Sequence, residues 1–217
     1  MSNQKQKADK KVVILGSAEV GKTCLIRRYI ENTYVKDISS TIGCSFFLKQ
    51  WGNKNIALWD TAGQEVFSGL TNFYCRGAHA VILCYSLVDR ASFNDIDTRH
   101  KRLLDTVSEN CIIVLVGTKM DLLDNKINKD LTKRAVLPEE ALAKSLEFME
   151  RFQSLKHPKG NLPVFETSSK ENIQIKELFE FVFETLEPET CLLSEPYTPK
   201  GVITLNSPKV VTKKKCC

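Results

Sequence analysis

The sequence has few of the residues that build metal clusters, disulfide frameworks or membrane spans. Its three histidines, His79, His100 and His157, are isolated; of its eight cysteines, Cys24, Cys75, Cys84 and Cys111 are scattered without paired spacing, and no C-x-x-C occurs. No apolar run approaches the roughly 18 residues that a transmembrane helix requires. We therefore expect no zinc-type site, no disulfide and no spanning helix. Unpaired cysteines favour the reducing cytosol as the compartment.

Targeting signals and a nucleic-acid surface are also missing. Residues 1–11 are polar and lysine-rich and contain no apolar core, so we expect no secretory signal. A chain that begins Met-Ser offers no glycine for N-myristoylation. The net charge of +5 comes mostly from the two lysine-rich ends. No basic stripe is interleaved with aromatic residues, which disfavours nucleic-acid binding.

What the chain does contain is enough apolar sequence for one domain with a single core. It has 217 residues, of which 42% are hydrophobic and 26% charged. Strand-like and helix-like segments alternate, which predicts a doubly wound α/β fold with helices on both faces of a mostly parallel, six-stranded sheet. The predicted strands cover residues 11–16, 44–51, 55–60, 79–85, 111–117 and 163–166. The predicted helices cover residues 22–31, 68–75, 91–107, 138–155 and 174–186.

A glycine-rich loop follows the first predicted strand. Residues 16–23 read GSAEVGKT, a G-x-x-x-x-G-K-[ST] pattern. In such a loop backbone N–H groups turn inward around phosphates, and the helix that starts near Lys22 directs its positive dipole end at them. Lys22 adds a point charge, and the Thr23 hydroxyl is a ligand for Mg²⁺. The flanking strand and helix favour a phosphate site over an ordinary glycine turn.

Two further segments would complete a site for the terminal phosphate and its metal. Asp60 ends an apolar strand and can hold Mg²⁺ through water, opposite Thr23. Gly63 lets the backbone approach a phosphate closely, and Gln64 is placed to orient an attacking water. Thr41 can supply a second hydroxyl to the metal and a backbone N–H to the phosphate. A loop held only while that phosphate is present is a switch.

The choice of base is indicated by two segments near the last strands. Asp121, in the run GTKMD at 117–121, can accept hydrogen bonds from N1–H and N2–H₂ of guanine, whereas adenine presents an acceptor at N1. Lys119 can lie over the base plane. The run ETSSK at 166–170 offers hydroxyl residues that can brace the base-binding loop. Asp121 therefore opposes the alternative of a P-loop ATPase or kinase.

The order and spacing of these five segments resemble the Ras superfamily of small GTPases and, within it, the Rab proteins. The resemblance rests on WDTAGQE at 59–65, on YCRGA at 74–78 and IGCSF at 42–46 as variants of Rab motifs, and on the terminal Cys216-Cys217. It covers about residues 10–186 and the terminus. It implies a single P-loop GTPase domain at 11–186 that binds GTP and GDP with Mg²⁺, preceded by a flexible N-terminus.

The resemblance also assigns roles by position. Gln64 and Lys22 are the expected catalytic residues, and Thr23, Thr41 and Asp60 form the expected metal site. The expected nucleotide-binding residues are Gly16, Ser17, Ala18, Glu19, Val20, Gly21, Lys22, Thr23, Cys24, Tyr34, Thr41, Gly63, Thr118, Lys119, Asp121, Ser168, Ser169 and Lys170. In this assignment Tyr34 packs beside the base.

Several residues depart from the family pattern. Glu19 replaces a glycine and brings a negative charge near a polyanion, unless its side chain points to solvent. Ala18 stands where Rabs often carry serine and can crowd Gln64. Thr118 replaces the commoner asparagine and loses an amide that would tie the base-binding loop to the phosphate loop, and Ile38 replaces a tyrosine that folds over the phosphates. These departures question the hydrolysis and exchange rates more than guanine binding.

Two segments outside the motifs carry separate expectations. Residues 122–162 hold extra sequence, either a tolerated surface insertion or a private contact with an effector or a membrane. Residues 187–217 form the expected tether, ending in three lysines and Cys216-Cys217. Unmodified, this is a solvated tail with free thiols. By resemblance both cysteines are prenylated, which gives a two-chain anchor that the lysines direct to anionic leaflets.

Together these features imply a monomeric, membrane-anchored switch in vesicle traffic, at the cytosolic face of an endomembrane and cycling with the cytosol. GTP would order residues 34–46 and 61–76 into an effector surface, and hydrolysis would relax them. The expected partners are an exchange factor, an activating protein, a prenylation escort, a dissociation inhibitor and effectors. Because the switch segments offer no arginine finger, we expect slow intrinsic turnover. The rival hypothesis, suggested by the departures, is a nucleotide-binding module with negligible hydrolysis; the intact Gln64 opposes it.

Overall fold

The computed structural model of the chain describes residues 7–36, 38–63, 73–108, 110–123, 134–151 and 164–188. The strands are β1 (Lys10–Leu15), β2 (Cys44–Trp51), β3 (Lys54–Thr61), β4 (Ala80–Ser86), β5 (Ile112–Thr118) and β6 (Val164–Glu166). The helices are α1 (Lys22–Glu31), α2 (Arg90–Asp95), α3 (Lys101–Leu104), α4 (Pro138–Arg151) and α5 (Ile175–Leu186), with a π-helical turn at Ile96–His100 and a 3₁₀ turn at Met120–Leu123.

The strands form one six-stranded sheet in the order β2-β3-β1-β4-β5-β6. β2 runs antiparallel to β3, and every other neighbouring pair is parallel. β4 and β5 are buried at every residue, as expected for strands covered on both faces. β2 is an edge strand and stays partly exposed. The predicted α/β fold with a mostly parallel sheet is confirmed.

Helix α1 is fixed in the core by aromatic packing. The Tyr29 ring stacks on Phe179 of α5 with centroids 4.1 Å apart, and Phe183 meets Tyr29 edge-on at 5.8 Å. Offset and edge-to-face aromatic pairs add to the stabilisation that comes from apolar burial. α1 therefore leads from the glycine-rich loop as a rigid element.

The predicted helix at 91–107 is present over residues 90–104 as α2, the π-helical turn and α3 in direct succession. The π-helical turn inside it was not predicted, and there Nδ1 of His100 lies 2.9 Å from the carbonyl oxygen of Asp95, five residues earlier. The predicted helix 138–155 is described as far as Arg151, and most of the predicted helix 68–75 lies outside the described residues. Within the described ranges, no helix is long and apolar enough to cross a bilayer.

His100 is a fully buried titratable residue beside the phosphate loop. Its side chain is 0% exposed, and its Nε2 has no hydrogen-bond partner among the residues that the structure describes. Burial lowers the pKa of the imidazole, and the positive charge of Lys22 adds to this, while the hydrogen bond with Asp95 opposes it. The neutral ring is therefore the form that the fold accommodates.

We expect the fold to lose stability in mild acid through His100. The native pKa lies below the ordinary value near 6.5, so the unfolded chain binds the proton first, and stability present at neutral pH is lost as the pH falls below about 6.5. In urea unfolding, the free energy of unfolding of the wild type should fall between pH 7.5 and pH 5.5. In His100→Gln this fall should be smaller by about 1 kcal/mol. His79→Gln, which changes an exposed histidine, should leave most of that loss in place. An unchanged loss in His100→Gln would contradict the prediction.

Candidate functional site

A cleft of about 760 Å³ lies at the carboxyl ends of the parallel strands, where doubly wound sheets bind ligands. The predicted site residues that line it are Ala18, Glu19, Gly21, Lys22, Thr23, Cys24, Tyr34, Thr41, Gly63, Thr118, Lys119, Asp121, Ser169 and Lys170. Predicted site residues that lie behind this lining are Gly16, Ser17, Val20, Asp60 and Ser168. Gln64, Cys216 and Cys217 lie outside the described residues.

The glycine-rich loop wraps around the Lys22 ammonium group. Lys22 is 5% exposed, and its Nζ donates to the carbonyl oxygens of Gly16 and Ser17, both at 2.8 Å. Gly16 has a φ of 147°, and a Cβ there would lie 2.3 Å from the carbonyl oxygen of Cys84, so this turn requires glycine. Burial lowers the pKa of Lys22, and nearby groups, Cys84 and Asp60, counteract this. An anion in the cleft would stabilise the charged form.

The loop is also held from α2, by a contact that the sequence did not indicate. Ser17 Oγ donates to Oδ2 of Asp95 at 2.6 Å, and Asp95 pairs with Arg99 at 3.2 Å. Ser17 and Asp95 are far apart in sequence, and no sequence pattern predicts that they meet. The bond fixes the first turn of the loop against the helix beside it.

Three oxygen-bearing side chains converge next to Lys22. Thr23 Oγ1 donates to Oδ2 of Asp60 at 2.7 Å and lies 2.9 Å from Thr41 Oγ1, which is 3.5 Å from the same carboxylate oxygen. Asp60 is 0% exposed, and its Oδ1 finds no hydrogen-bond donor within the described ranges. Burial raises the pKa of Asp60, while the Thr23 hydrogen bond and the Lys22 charge lower it. Hydroxyl and carboxylate oxygens around an unpaired buried oxygen fit a hard divalent cation such as Mg²⁺.

The segment after Asp60 packs directly on the glycine-rich loop. A Cβ added to Gly63 would lie 2.2 Å from the backbone nitrogen of Ala18, so a side chain at 63 would force the two segments apart. Close approach at Gly63 was predicted, although for a phosphate rather than for Ala18. The expected crowding of Gln64 by Ala18 involves a residue that lies outside the described residues.

Glu19 occupies the glycine position of the loop at a backbone cost. Its φ is 62°, in the left-handed region that costs an L-residue about 1–2 kcal/mol. Its side chain is exposed and lines the mouth of the cleft. The Glu19 side chain is therefore accessible to solvent, which agrees with the outward orientation that the sequence analysis weighed for it.

The opposite end of the cleft holds Asp121. Ser168, which is fully buried, donates from Oγ to Oδ1 of Asp121 at 2.6 Å, which fixes the orientation of the carboxylate. Lys119 has a φ of 61° and lines the cleft beside Asp121 and Lys170. A charged acceptor with one oxygen fixed by a buried hydroxyl suits a planar ligand that presents two adjacent donors.

Thr118 contradicts the expectation that the base-binding loop loses its tie to the phosphate loop. Its Oγ1 donates to the carbonyl oxygen of Val20 at 2.5 Å and lies 2.9 Å from that of Tyr85. Thr118 is 3% exposed, so both contacts are shielded from water. The shorter side chain makes the connection because β5 brings its end directly under the phosphate loop.

Ile38, expected near the phosphates from the sequence, lines the cleft. Other residues at the site were not assigned a role from the sequence, and the cleft is also lined by Lys36, Ser39, Ser40, Thr61 and Leu122. Arg28 of α1 donates to backbone carbonyls of Ser169 and Lys170, and Arg134 forms a two-pronged ion pair with Glu166 at 2.6 and 2.8 Å. For these arginines the only sequence signal was their charge, which does not reveal a partner more than thirty residues away.

Comparison with known proteins places this geometry in a family. The Ras family model matches residues 11–188. Ras-related protein Rab-20 of Homo sapiens is 34% identical over 98% of this chain and 99% of its own, and Rab-20 of Mus musculus is 35% identical over 84% and 86%. GTP-binding protein ypt1 of Schizosaccharomyces pombe is 32% identical over 78% and 75%. With a match that spans the whole sheet and all the loops of the cleft, the chain belongs to the Ras family, as a divergent Rab-type small GTPase.

Proposed function

We propose that the cleft binds GTP and GDP together with Mg²⁺, that the chain hydrolyses GTP, and that the cycle switches effector binding in intracellular vesicle traffic. The observation that carries the proposal is the pairing, in one cleft, of the Ser168–Asp121 contact with the Thr23–Thr41–Asp60 cluster beside Lys22. The first suits guanine, and the second suits a metal-bound polyphosphate.

At the base end, Asp121 accepts two hydrogen bonds from guanine, one from N1–H and one from N2–H₂. Ser168 keeps the carboxylate turned toward the base, at 2.6 Å from its hydroxyl. Lys119 covers one face of the ring with its stem, and Tyr34 packs beside it. Adenine would leave the Asp121 carboxylate facing another acceptor, so ATP binds less tightly.

At the phosphate end, the backbone N–H groups of the glycine-rich loop and the start of α1 face the polyphosphate. Lys22, held by two carbonyl oxygens at 2.8 Å, places its ammonium between the β- and γ-phosphates. Thr23 and Thr41 would ligate Mg²⁺, with Asp60 as the carboxylate that helps to hold it. Mg²⁺ in this position supplies charge neutralisation for the phosphates.

Hydrolysis depends on positioning rather than on covalent chemistry. Gln64 orients the attacking water, Gly63 offers its N–H to the γ-phosphate, and Lys22 stabilises the charge that develops on the phosphate oxygens. Because no arginine finger is evident in the switch sequence, intrinsic turnover is slow and an activating protein accelerates it.

Switching follows from the place of Thr41 between the metal cluster and the edge strand. Thr41 contacts Thr23, and the chain continues through Ile42, 94% exposed, to Phe46, 53% exposed, on β2. Loss of the γ-phosphate releases residues 34–46 and 61–76, and the apolar surface that effectors recognise changes shape. An exchange factor, a prenylation escort and a dissociation inhibitor complete the set of partners.

The C-terminal residues provide the membrane attachment in this proposal. Cys216 and Cys217 carry prenyl groups, and Lys213 to Lys215 attract anionic lipids of the cytosolic leaflet. The tether at 187–217 separates the anchor from the domain, and the insertion around 122–162 remains a surface feature or a private contact. The protein then cycles as a monomer between endomembrane and cytosol.

A second candidate, a nucleotide-binding module with negligible hydrolysis, is favoured by one observation. Glu19 lines the cleft in a strained conformation where a neutral glycine would serve, and its charge weakens phosphate binding at close range. The two candidates differ only in the fate of bound GTP, and both require the nucleotide and the metal.

Removal of Mg²⁺ provides the test of binding. We expect EDTA to speed GDP release by about tenfold or more, since Mg²⁺ held by Thr23 and Asp60 would neutralise charge on the phosphates, and about 1.4 kcal/mol corresponds to a factor of ten. Asp60→Asn should release GDP quickly already in Mg²⁺ and respond little to EDTA. Equal release rates with and without Mg²⁺ in the wild type would contradict the metal site, and preferential binding of ATP would contradict the guanine site.

Variants of Glu19 separate charge from backbone strain. Both Glu19→Gly and Glu19→Gln remove the negative charge near the phosphates, so both should slow GDP release several-fold. Only glycine relieves the left-handed strain, so Glu19→Gly alone should raise the free energy of unfolding by about 1 kcal/mol. Thermal unfolding and release of labelled GDP measure the two effects, and equal stability of the two variants would contradict the strain.

A further inference from the structure

Arg28 makes an unusual connection between α1 and the base-binding loop. From the last turn of α1, its Nε donates to the carbonyl oxygen of Ser169 at 2.6 Å, and Nη2 donates to that of Lys170 at 3.2 Å. Nη1 donates to the carbonyl oxygen of Asn32 at 2.9 Å. The guanidinium thus uses three donors on three backbone oxygens; these donors are spread over a planar fork, whereas those of an ammonium group all sit on one nitrogen.

The loop that Arg28 holds determines where Asp121 points. Ser168 donates to Asp121 at 2.6 Å, and the same hydroxyl oxygen accepts from the backbone nitrogen of Glu171 at 3.0 Å. Ser169 and Lys170, whose carbonyl oxygens Arg28 holds, line the cleft. A shift of this loop would therefore move both the lining of the cleft and the hydroxyl that orients the carboxylate.

Helix α1 is a suitable support because it is anchored at both ends. It begins at Lys22 and Thr23 in the phosphate end of the cleft, and Tyr29, next to Arg28, stacks on Phe179. One rigid helix thus contributes groups to the phosphate end and holds the base end. Displacement of α1 at either end would be transmitted to the other through Arg28.

We propose that Arg28 is a positioning residue that holds the base-binding loop against α1 and thereby sets how long guanine nucleotides stay bound. The inference rests on the proposed guanine site. It assigns to Arg28 no contact with the nucleotide and no part in the hydrolytic step. Its effect is exerted through Ser168 and Asp121 on recognition of the base.

The test uses the full-length protein loaded with GDP or with IDP, whose base lacks the N2 amino group that Asp121 accepts from. Arg28→Ala should release GDP about tenfold faster than the wild type and should reduce the preference for GDP over IDP. Arg28→Lys, which keeps the charge but loses the planar fork, should release GDP at a rate between those of Arg28→Ala and the wild type. The rate constant for hydrolysis of GTP that remains bound should stay within about twofold of the wild type, since the phosphate end is unaltered.

Arg90→Ala is the matched control. Arg90 also forms a two-pronged contact, with Glu140 at 2.7 Å for both bonds, but it does not line the cleft. This variant should keep the wild-type release rate and base preference. If Arg28→Ala and Arg28→Lys release GDP no faster than Arg90→Ala, or lose no preference over IDP, the role of Arg28 is contradicted while the guanine site stands. If the wild type does not prefer GDP to IDP, the guanine site itself fails, and this inference fails with it.

Discussion

Replacing Lys22 with methionine is expected to lower the affinity for GTP and GDP by about a hundredfold or more. Methionine keeps the length of the apolar stem, so it fills the same space inside the glycine-rich loop. The variant loses a charged donor that is 5% exposed, and hydrogen bonds to charged groups in such places contribute about 1.5–3 kcal/mol each. Two phosphate groups depend on this ammonium in the proposed site, which makes the loss larger than for a surface lysine.

Lys11→Met provides the control for this experiment. Lys11 is a partly buried lysine whose ammonium lies 4.7 Å from the centroid of the Trp59 ring, and it does not line the cleft. The Lys11→Met variant should bind GDP with the affinity of the wild type. Calorimetric titration of nucleotide-free protein measures all three affinities. Wild-type affinity in Lys22→Met would contradict the placement of the phosphates in the glycine-rich loop.

Replacing Asp121 with asparagine is expected to lower GDP affinity by about a hundredfold while leaving the fold intact. The amide retains an oxygen that can accept from Ser168 Oγ, now 2.6 Å from the carboxylate. Its NH₂ group, however, replaces the other acceptor oxygen and faces a donor of guanine, the charge is lost from both bonds to the base, and a lost charge-assisted bond costs about 1.5–3 kcal/mol. The effect on ADP, which binds weakly from the start, should be small.

Asp97→Asn is the matched control, because Asp97 is an exposed carboxylate that pairs with Lys144 at 2.8 Å away from the cleft. It should retain the preference of the wild type for GDP over ADP. Competition binding of GDP and ADP to the three proteins gives the comparison. An unchanged preference in Asp121→Asn would show that another group reads the base.

The sequence predicted the sheet well because apolar runs dominate its strands. All six predicted strands are present, the glycine-rich loop and Asp121 follow β1 and β5, and Asp60 lies in the last residues of β3 as expected. The π-helical turn at Ile96–His100 was not predicted, since apolar periodicity does not encode a single widened turn inside a helix. Local sequence patterns therefore predicted where the strands and helices lie better than they predicted an irregular turn inside a helix.

Prediction of the site failed where one segment meets another far away in sequence. Thr118 was expected to lose a link to the phosphate loop, yet its hydroxyl contacts the Val20 carbonyl oxygen because β5 ends directly beneath that loop. Arg28 and Ser169 are 141 residues apart in sequence, and only the completed fold brings Nε of Arg28 to 2.6 Å from the carbonyl oxygen of Ser169. Motifs identified the residues that face the cleft, and the fold was needed to identify those that support them.

Single-turnover hydrolysis of Mg²⁺-loaded GTP by the full-length chain, beside Gln64→Leu, tests the central claim most directly. It separates a cycling GTPase from a binding module, which bind the same nucleotide. We predict slow release of phosphate from the wild type and its loss in Gln64→Leu, with GTP bound equally by both. Bound GTP that both proteins retain to the same extent would contradict the hydrolytic cycle and would favour the binding module.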